Sequence, residues 1–439
     1  MSAARQGGRG RDPERVAYLN ARLLDPASGL GTEGDLLTDG EMIADFGPGL
    51  FKDGIPEGTQ TVDCAGLCLA PGLVDMHVHL RDPGLTEKED FPSGTRSAAL
   101  GGVTTVVDMP NTRPPVTTRA VLQDKRTRVR GRAAVDYGLF AAPRSEGAVS
   151  QLRDATAFKV YMAESTGNLQ IDAETLGAVL HASAELGRLV VAHAEDEHRF
   201  RKGQPATLAG HSESRPKESE ASAIRSLGAL RGEARVHIAH VTCAEALAAV
   251  PEGVTTEVTP HHLLLDTGRP LQAFGKVNPP LRSPEDREAL WDAFAAGRID
   301  ALATDHAPHT REEKEERFDE APSGLPGIAT SFPLLLRQVR AERLSLERLV
   351  DAMASRPAEI LGIPKGRIEV GADADLVVVD ARRVVKITAR RVRYKCGWTP
   401  FEGMEGVFPS TVYLHGERIV EDGEPIAEGA GRPVTRIEA

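Results

Sequence analysis

The sequence is poor in cysteine, in aromatic residues, in net positive charge and in long apolar runs, and each shortage removes a class of protein. Four cysteines (Cys64, Cys68, Cys243, Cys396) in 439 residues are too few and too scattered for a disulfide framework. Aromatic residues make up 4% and the formal charge is −11. A nucleic-acid binder needs a basic footprint and stacking rings, so that class is set aside. No apolar run approaches the roughly 20 residues of a membrane-spanning helix. Nothing at the start reads as a signal peptide, and a cytoplasmic protein is expected.

What is present is a globular balance, 41% hydrophobic, behind a Gly/Arg-rich start read as a disordered tail over residues 1–14. Eight β-branched runs then alternate with helical stretches: 73–80, 103–109, 134–140, 157–162, 189–194, 235–240, 254–259 and 299–305. Continuous apolar runs fit parallel strands buried on both faces, and eight such units predict a (β/α)₈ barrel over 69–357. An open doubly wound sheet is the alternative, but no Gly-rich phosphate turn follows the first run. The flanks alternate and turn like hairpins, so 15–68 and 358–435 are expected to pair into one small composite β-domain.

His77 and His79 stand two apart at the end of the first run. In an extended strand, residues i and i+2 share a face, so both imidazoles reach one point. Alone, such a pair is more often two satisfied or surface histidines. The pattern recurs, however: His193 closes the fifth run, His240 the sixth and Asp305 the eighth. Barrel active sites gather at these strand ends. Four imidazoles and a carboxylate meeting there form a donor set suited to zinc. Lys159, read as ending the fourth strand in the same register, offers only donors as an ammonium and cannot ligate a metal. Two readings stay open for it: an interior lysine paired with an acid, or an amine carboxylated by CO₂, for which burial supplies the neutral form.

The motifs PGLVDMHVHLRDPG, GGVTTVVDMPNT, FKVYM, AHAEDE, HVTCAEA, EVTPHHL, KVNPPLR and ATDHAPH follow in that order, within a resemblance that runs over about residues 69–330. They resemble the dihydroorotase branch of the amidohydrolase superfamily, with ADADLVV (372–378) as its tail signature. The resemblance implies two zinc ions per subunit, bridged by carboxylated Lys159 and hydroxide. His77, His79 and Asp305 would hold one ion, and His193 and His240 the other. Asp305 would carry the proton from water to the leaving nitrogen. The implied reaction is reversible hydrolysis of the cyclic amide of dihydroorotate, or closure of N-carbamoyl-L-aspartate in pyrimidine synthesis. FKVYMAESTGN is similar to the lysine-bearing versions that hydantoinases and allantoinases share.

For the substrate carboxylate, Arg81 can supply a bidentate fork. Asn111 and His309, with His79 beside them, match the family's other contacts to it. Asn278 and the backbone near Ser323 and Gly324 match contacts to the ring amides. Of His261 and His262 one is expected to support the pocket and neither to ligate. His181, His198, His211, His237 and His415 are expected to have no catalytic part. The charged segment 309–326 reads as a wet loop whose Pro/Gly end lines the pocket. The resemblance also implies a homo-oligomer and contact with aspartate transcarbamoylase. Allantoinases and dihydropyrimidinases would share the metal ligands, but their rings offer Arg81, Asn111 and His309 no anion. A catalytically silent scaffold would have lost ligands, and all six are present.

Overall fold

Eight strands pair in chain order, each parallel to the one before: Leu73–Val78, Val103–Asp108, Asp136–Ala141, Ala157–Tyr161, Leu189–His193, Arg235–Ile238, Thr255–Val258 and Ala301–Leu302. The ring closes where Val78 bridges His306 and the His79 N–H donates to the His306 carbonyl at 2.8 Å. The computed structural model describes residues 15–164 and 168–437. The tail read over residues 1–14, and residues 165–167 of the fourth-strand motif, lie outside them.

The first five strands are buried along their whole length, as parallel strands between helices and a filled interior must be. The helices begin where the sequence supplies a cap. Thr118, Ser145, Asp172 and Ser283 each accept a hydrogen bond from the N–H three residues on. Val74, Met76, Val107, Phe140, Val191 and Ala303 come from opposite sides of the ring yet share one apolar cluster with Leu361 and Ile363. Two ladders are shorter than the apolar runs suggest: the sixth stops at Ile238 and the eighth at Leu302. His240 and Asp305 just beyond have φ of 41° and 45°, a left-handed conformation that cannot continue a strand.

A second, nine-stranded sheet joins both ends of the chain. Val16–Asp25, Leu30–Asp39 and Cys68–Pro71 meet Leu376–Val379 and Thr411–Leu414, with Cys68–Pro71 antiparallel to Leu376–Val379 at the seam. Tyr18 and Tyr413 pack edge to face at 5.2 Å in its core. Salt bridges tie this sheet to the barrel. Lys365 Nζ lies 2.5 Å from Asp136, at the start of the third barrel strand, and 2.6 and 2.8 Å from Asp373 and Asp375. His415, on the flanking sheet, reaches Asp136 at 3.0 Å.

Candidate metal centre

The C-terminal rim of the barrel gathers His77, His79, Lys159, His193, His240 and Asp305 around one cavity. Arg81, Asn111, Asn278, Ser323 and Gly324 line the same cavity. His309 does not; it lies behind Arg81 and Ser323, within hydrogen-bond distance of both. Lys159 is the middle residue of its strand rather than the last, so it sits deeper than the sequence run implies.

Three of the four imidazoles are fixed from behind, while His240 Nδ1 is buried with no hydrogen-bond partner among the described residues. His77 Nδ1–H donates to Glu257 at 2.5 Å, His79 Nδ1–H to the Asn111 side-chain oxygen at 2.6 Å, and His193 Nε2–H to Glu195 at 2.7 Å. Burial pushes the His77, His193 and His240 values down, which keeps these rings neutral with a lone pair available. In the His77 and His193 rings the remaining nitrogen therefore faces inward as an acceptor. His79 Nε2 stands 3.0 Å and His77 Nε2 3.4 Å from Asp305 Oδ1, and His193 Nδ1 lies 3.1 Å from His240 Nε2.

Acceptors facing acceptors at such distances repel unless a proton or a cation lies between them. Ligand atoms of His77, His79 and Asp305 all fall within 4.8 Å of one another, a spacing one ion can satisfy. The donor set of imidazoles and a carboxylate suits zinc, and acids behind the ligands are the usual means of fixing their tautomers. Lys159 Nζ is buried with no hydrogen-bond partner among the described residues, and burial pushes it down to about 8. The residues present thus fit a bound metal ion.

Beside the acceptors lies a contrasting wall of donors. Arg81 is buried in a left-handed conformation (φ 62°), and its Nε donates to the Pro308 carbonyl at 3.1 Å. Among the described residues its guanidinium forms no ion pair. The Lys88 ammonium can only donate, so His309 Nδ1 accepts from it at 3.1 Å and Nε2–H is left to donate to Ser323 O at 3.1 Å. Arg81 Nη2 stands 3.2 Å from that Nε2, donor beside donor. Backbone strain concentrates here: Arg81, His240 and Asp305 all carry positive φ, a feature that clusters at functional sites.

Comparison with known proteins follows the same line. The model described as "Amidohydrolase family" matches residues 68–419. The chain belongs to the amidohydrolase family. Among curated proteins, this amidohydrolase is 41% identical to "Dihydroorotase" of Halobacterium salinarum over 412 residues, covering 91% of this chain and 96% of that one. It is 39% identical to "Dihydroorotase" of Methanosarcina acetivorans, covering 86% and 87%. Among solved structures, "L-Hydantoinase (Dihydropyrimidinase) from Arthrobacter aurescens" superposes with a TM-score of 0.90 at 31% identity, covering 96% and 99%.

Several residues of this amidohydrolase site escape a reading of the sequence. Glu257 binds both His77 and His237, the latter at 3.1 Å, so His237 supports the site although nothing marked it. Glu195 is pinned by Arg215. Glu220 accepts from the Thr242 N–H at 2.9 Å and fixes the loop after His240. His211 bonds the Asn278 side chain at 2.9 Å; His262 Nε2 reaches the Pro279 carbonyl at 3.1 Å, the supporting role expected of one of His261 and His262. Tyr161 ends the fourth strand, lines the cavity, and has a buried hydroxyl with no partner among the described residues. Glu195 had a usable signal, two residues beyond His193 on a strand end; the others depend on tertiary contacts.

Proposed function

We propose that this amidohydrolase is a zinc-dependent dihydroorotase, opening the cyclic amide of dihydroorotate and closing N-carbamoyl-L-aspartate. One observation carries the choice among cyclic amides: the buried Arg81 guanidinium without an anionic partner, next to the acceptor cluster. A buried cation left unpaired is costly, and a substrate carboxylate would satisfy it bidentately. Asn111 stands within reach of the same anion, and His309 fixes the wall that presents it. The identity to curated dihydroorotases supports the same reading.

In this reading His77, His79 and Asp305 would hold one zinc, His193 and His240 would hold a second, and a carboxylated Lys159 would add oxygen ligands. The support for the carbamate is the depth, isolation and lowered basicity of the Lys159 amine. When bound, such a pair of ions polarises the amide carbonyl and acidifies water. The chain supplies the rest. Arg81 and Asn111 orient the substrate by its carboxylate, and Asp305 accepts a proton and returns it to the departing ring nitrogen. Asn278 and Ser323 contact the ring amides.

The likeness to the Arthrobacter hydantoinase keeps a second reading, a hydantoinase-type amidase, in the same experiment. Turnover is compared for dihydroorotate, hydantoin, dihydrouracil and allantoin at equal metal loading. Dihydroorotate is expected to lead, with Arg81→Met raising its KM; a leading neutral ring indifferent to Arg81→Met refutes the assignment. Self-association and docking to aspartate transcarbamoylase rest on the family resemblance and are tested by size-exclusion chromatography, alone and with that enzyme.

A further inference from the structure

The segment read as a wet loop, 309–326, contains one of the most buried lysines of the molecule. Lys314 is 1% exposed, and its Nζ donates to three carbonyls: Lys276 at 3.2 Å, Pro322 at 2.8 Å and Gly324 at 3.2 Å. An ammonium has three N–H donors, so the match is complete. The Trp398 ring closes another side at 5.9 Å, and its Nε1–H donates to the His309 carbonyl at 2.8 Å. Lys276 reciprocates from the loop after the seventh strand. Its Nζ donates to the carbonyls of Phe318 at 2.7 Å, Asp319 at 3.3 Å and Ala321 at 2.7 Å. The Gly324 N–H returns to the Lys276 carbonyl at 2.9 Å.

Between Phe318 and Gly324 the chain has neither helix nor strand to hold its carbonyls. The two lysines bind five of them, and His309 binds that of Ser323. Gly324 is confined further: its φ is 146°, and a Cβ there would come within 2.4 Å of the Ala307 carbonyl. The N–H and carbonyl of Gly324 are both occupied by the lysine pair. What this stretch leaves open to the cavity is the N–H and hydroxyl of Ser323, neither of which has a partner among the described residues. Across from it, Val277 and Asn278 directly follow Lys276 and line the same cavity.

We propose that Lys276 and Lys314 are positioning residues: a reciprocal clasp that locks the loops after the seventh and eighth strands together and so sets the Ser323 and Asn278 contacts to the substrate ring. The inference rests on the cyclic-amidase reading above, but its structural half does not. Neither lysine touches the metal cluster, so the clasp governs substrate binding rather than metal uptake.

The test uses the zinc-loaded full chain with Lys276→Met and Lys314→Met, each checked for zinc content and thermal midpoint. Amide hydrogen exchange is read without substrate, and KM and kcat with whichever cyclic amide the wild type opens. In the half-buried Lys276→Met variant, exchange is expected to quicken within 276–278 and 316–324 while zinc content holds. KM is expected to rise about tenfold, the loss of roughly one well-formed hydrogen bond, with kcat changed less than about threefold. Lys276→Arg is expected to restore much of the lost affinity. Unchanged exchange in both loops overturns the clasp; faster exchange with an unchanged KM overturns its role in recognition. A wild type that opens no cyclic amide refutes the proposed function and leaves the exchange result to decide the clasp.

Discussion

The barrel buries a lysine among titratable groups at each of its two ends, and the two are built in opposite ways. At the N-terminal end, Lys365 is the cation of its own cluster, held by Asp136, Asp373 and Asp375 within 2.8 Å. Burial works against its charge, but the carboxylates outweigh burial and raise its value. At the C-terminal end, the Lys159 Nζ has no hydrogen-bond partner among the described residues, and burial lowers it to about 8. Its surroundings are lone pairs aimed at one another. Asp136, Asp373 and His415 lie close enough to ligate an ion, yet the Lys365 ammonium already pairs with both carboxylates. A cluster that contains its cation is a structural joint; one that lacks it is a binding site.

Substitutions can break this contrast from either end. Asp305→Asn is expected to lower kcat by about 10²–10⁴-fold, the usual contribution of a proton carrier, with zinc largely retained; near-normal turnover removes Asp305 from that role. Lys365→Met leaves three carboxylates facing one another and is expected to cost about 3–5 kcal/mol in denaturant unfolding without changing zinc content in the folded fraction. Glu257→Gln is expected to weaken zinc binding about 10–100-fold, as loss of a ligand's supporting acid does, measured by competition with a chelator. Lys159→Ala should likewise lower zinc content, and a short carboxylic acid should restore part of it; full zinc content without the acid excludes a bridge.

The smallest effect concerns His415. Burial opposes its charge, but the bond to Asp136 and the nearby Asp375 raise its value above the ordinary one. A raised folded value means that its stabilisation is complete below about pH 6.5 and fades as pH rises through that folded value. Asp136 is the mirror case, lowered in the fold, so its share is lost as pH falls through its own depressed value. His415→Asn should therefore flatten the stability profile on the alkaline side of pH 6.5 and leave turnover untouched.

The barrel and its rim were legible because each signal was local. Apolar runs announce buried strands, and a histidine or aspartate closing several of them needs no knowledge of what packs behind. The extent of the last strand was not legible, because the left-handed turn at Asp305 comes from the site and not from propensity. The acids behind the ligands were hidden for a related reason. Glu257 lies 180 residues from His77 in the chain, and only ring closure brings them to 2.5 Å. The charged segment 309–326 misled as composition can: its other charges are largely exposed, but Lys314 turns inward to bind carbonyls that no secondary structure satisfies.

Zinc stoichiometry and dihydroorotate turnover, measured on one preparation before chelation, after it, and after zinc is restored in bicarbonate, put the histidine-lined rim to trial. Turnover should vanish with the metal and return as zinc approaches two equivalents per chain, while the fold persists. Undiminished turnover in the metal-free protein, or a zinc-loaded protein that opens no cyclic amide, would contradict the account.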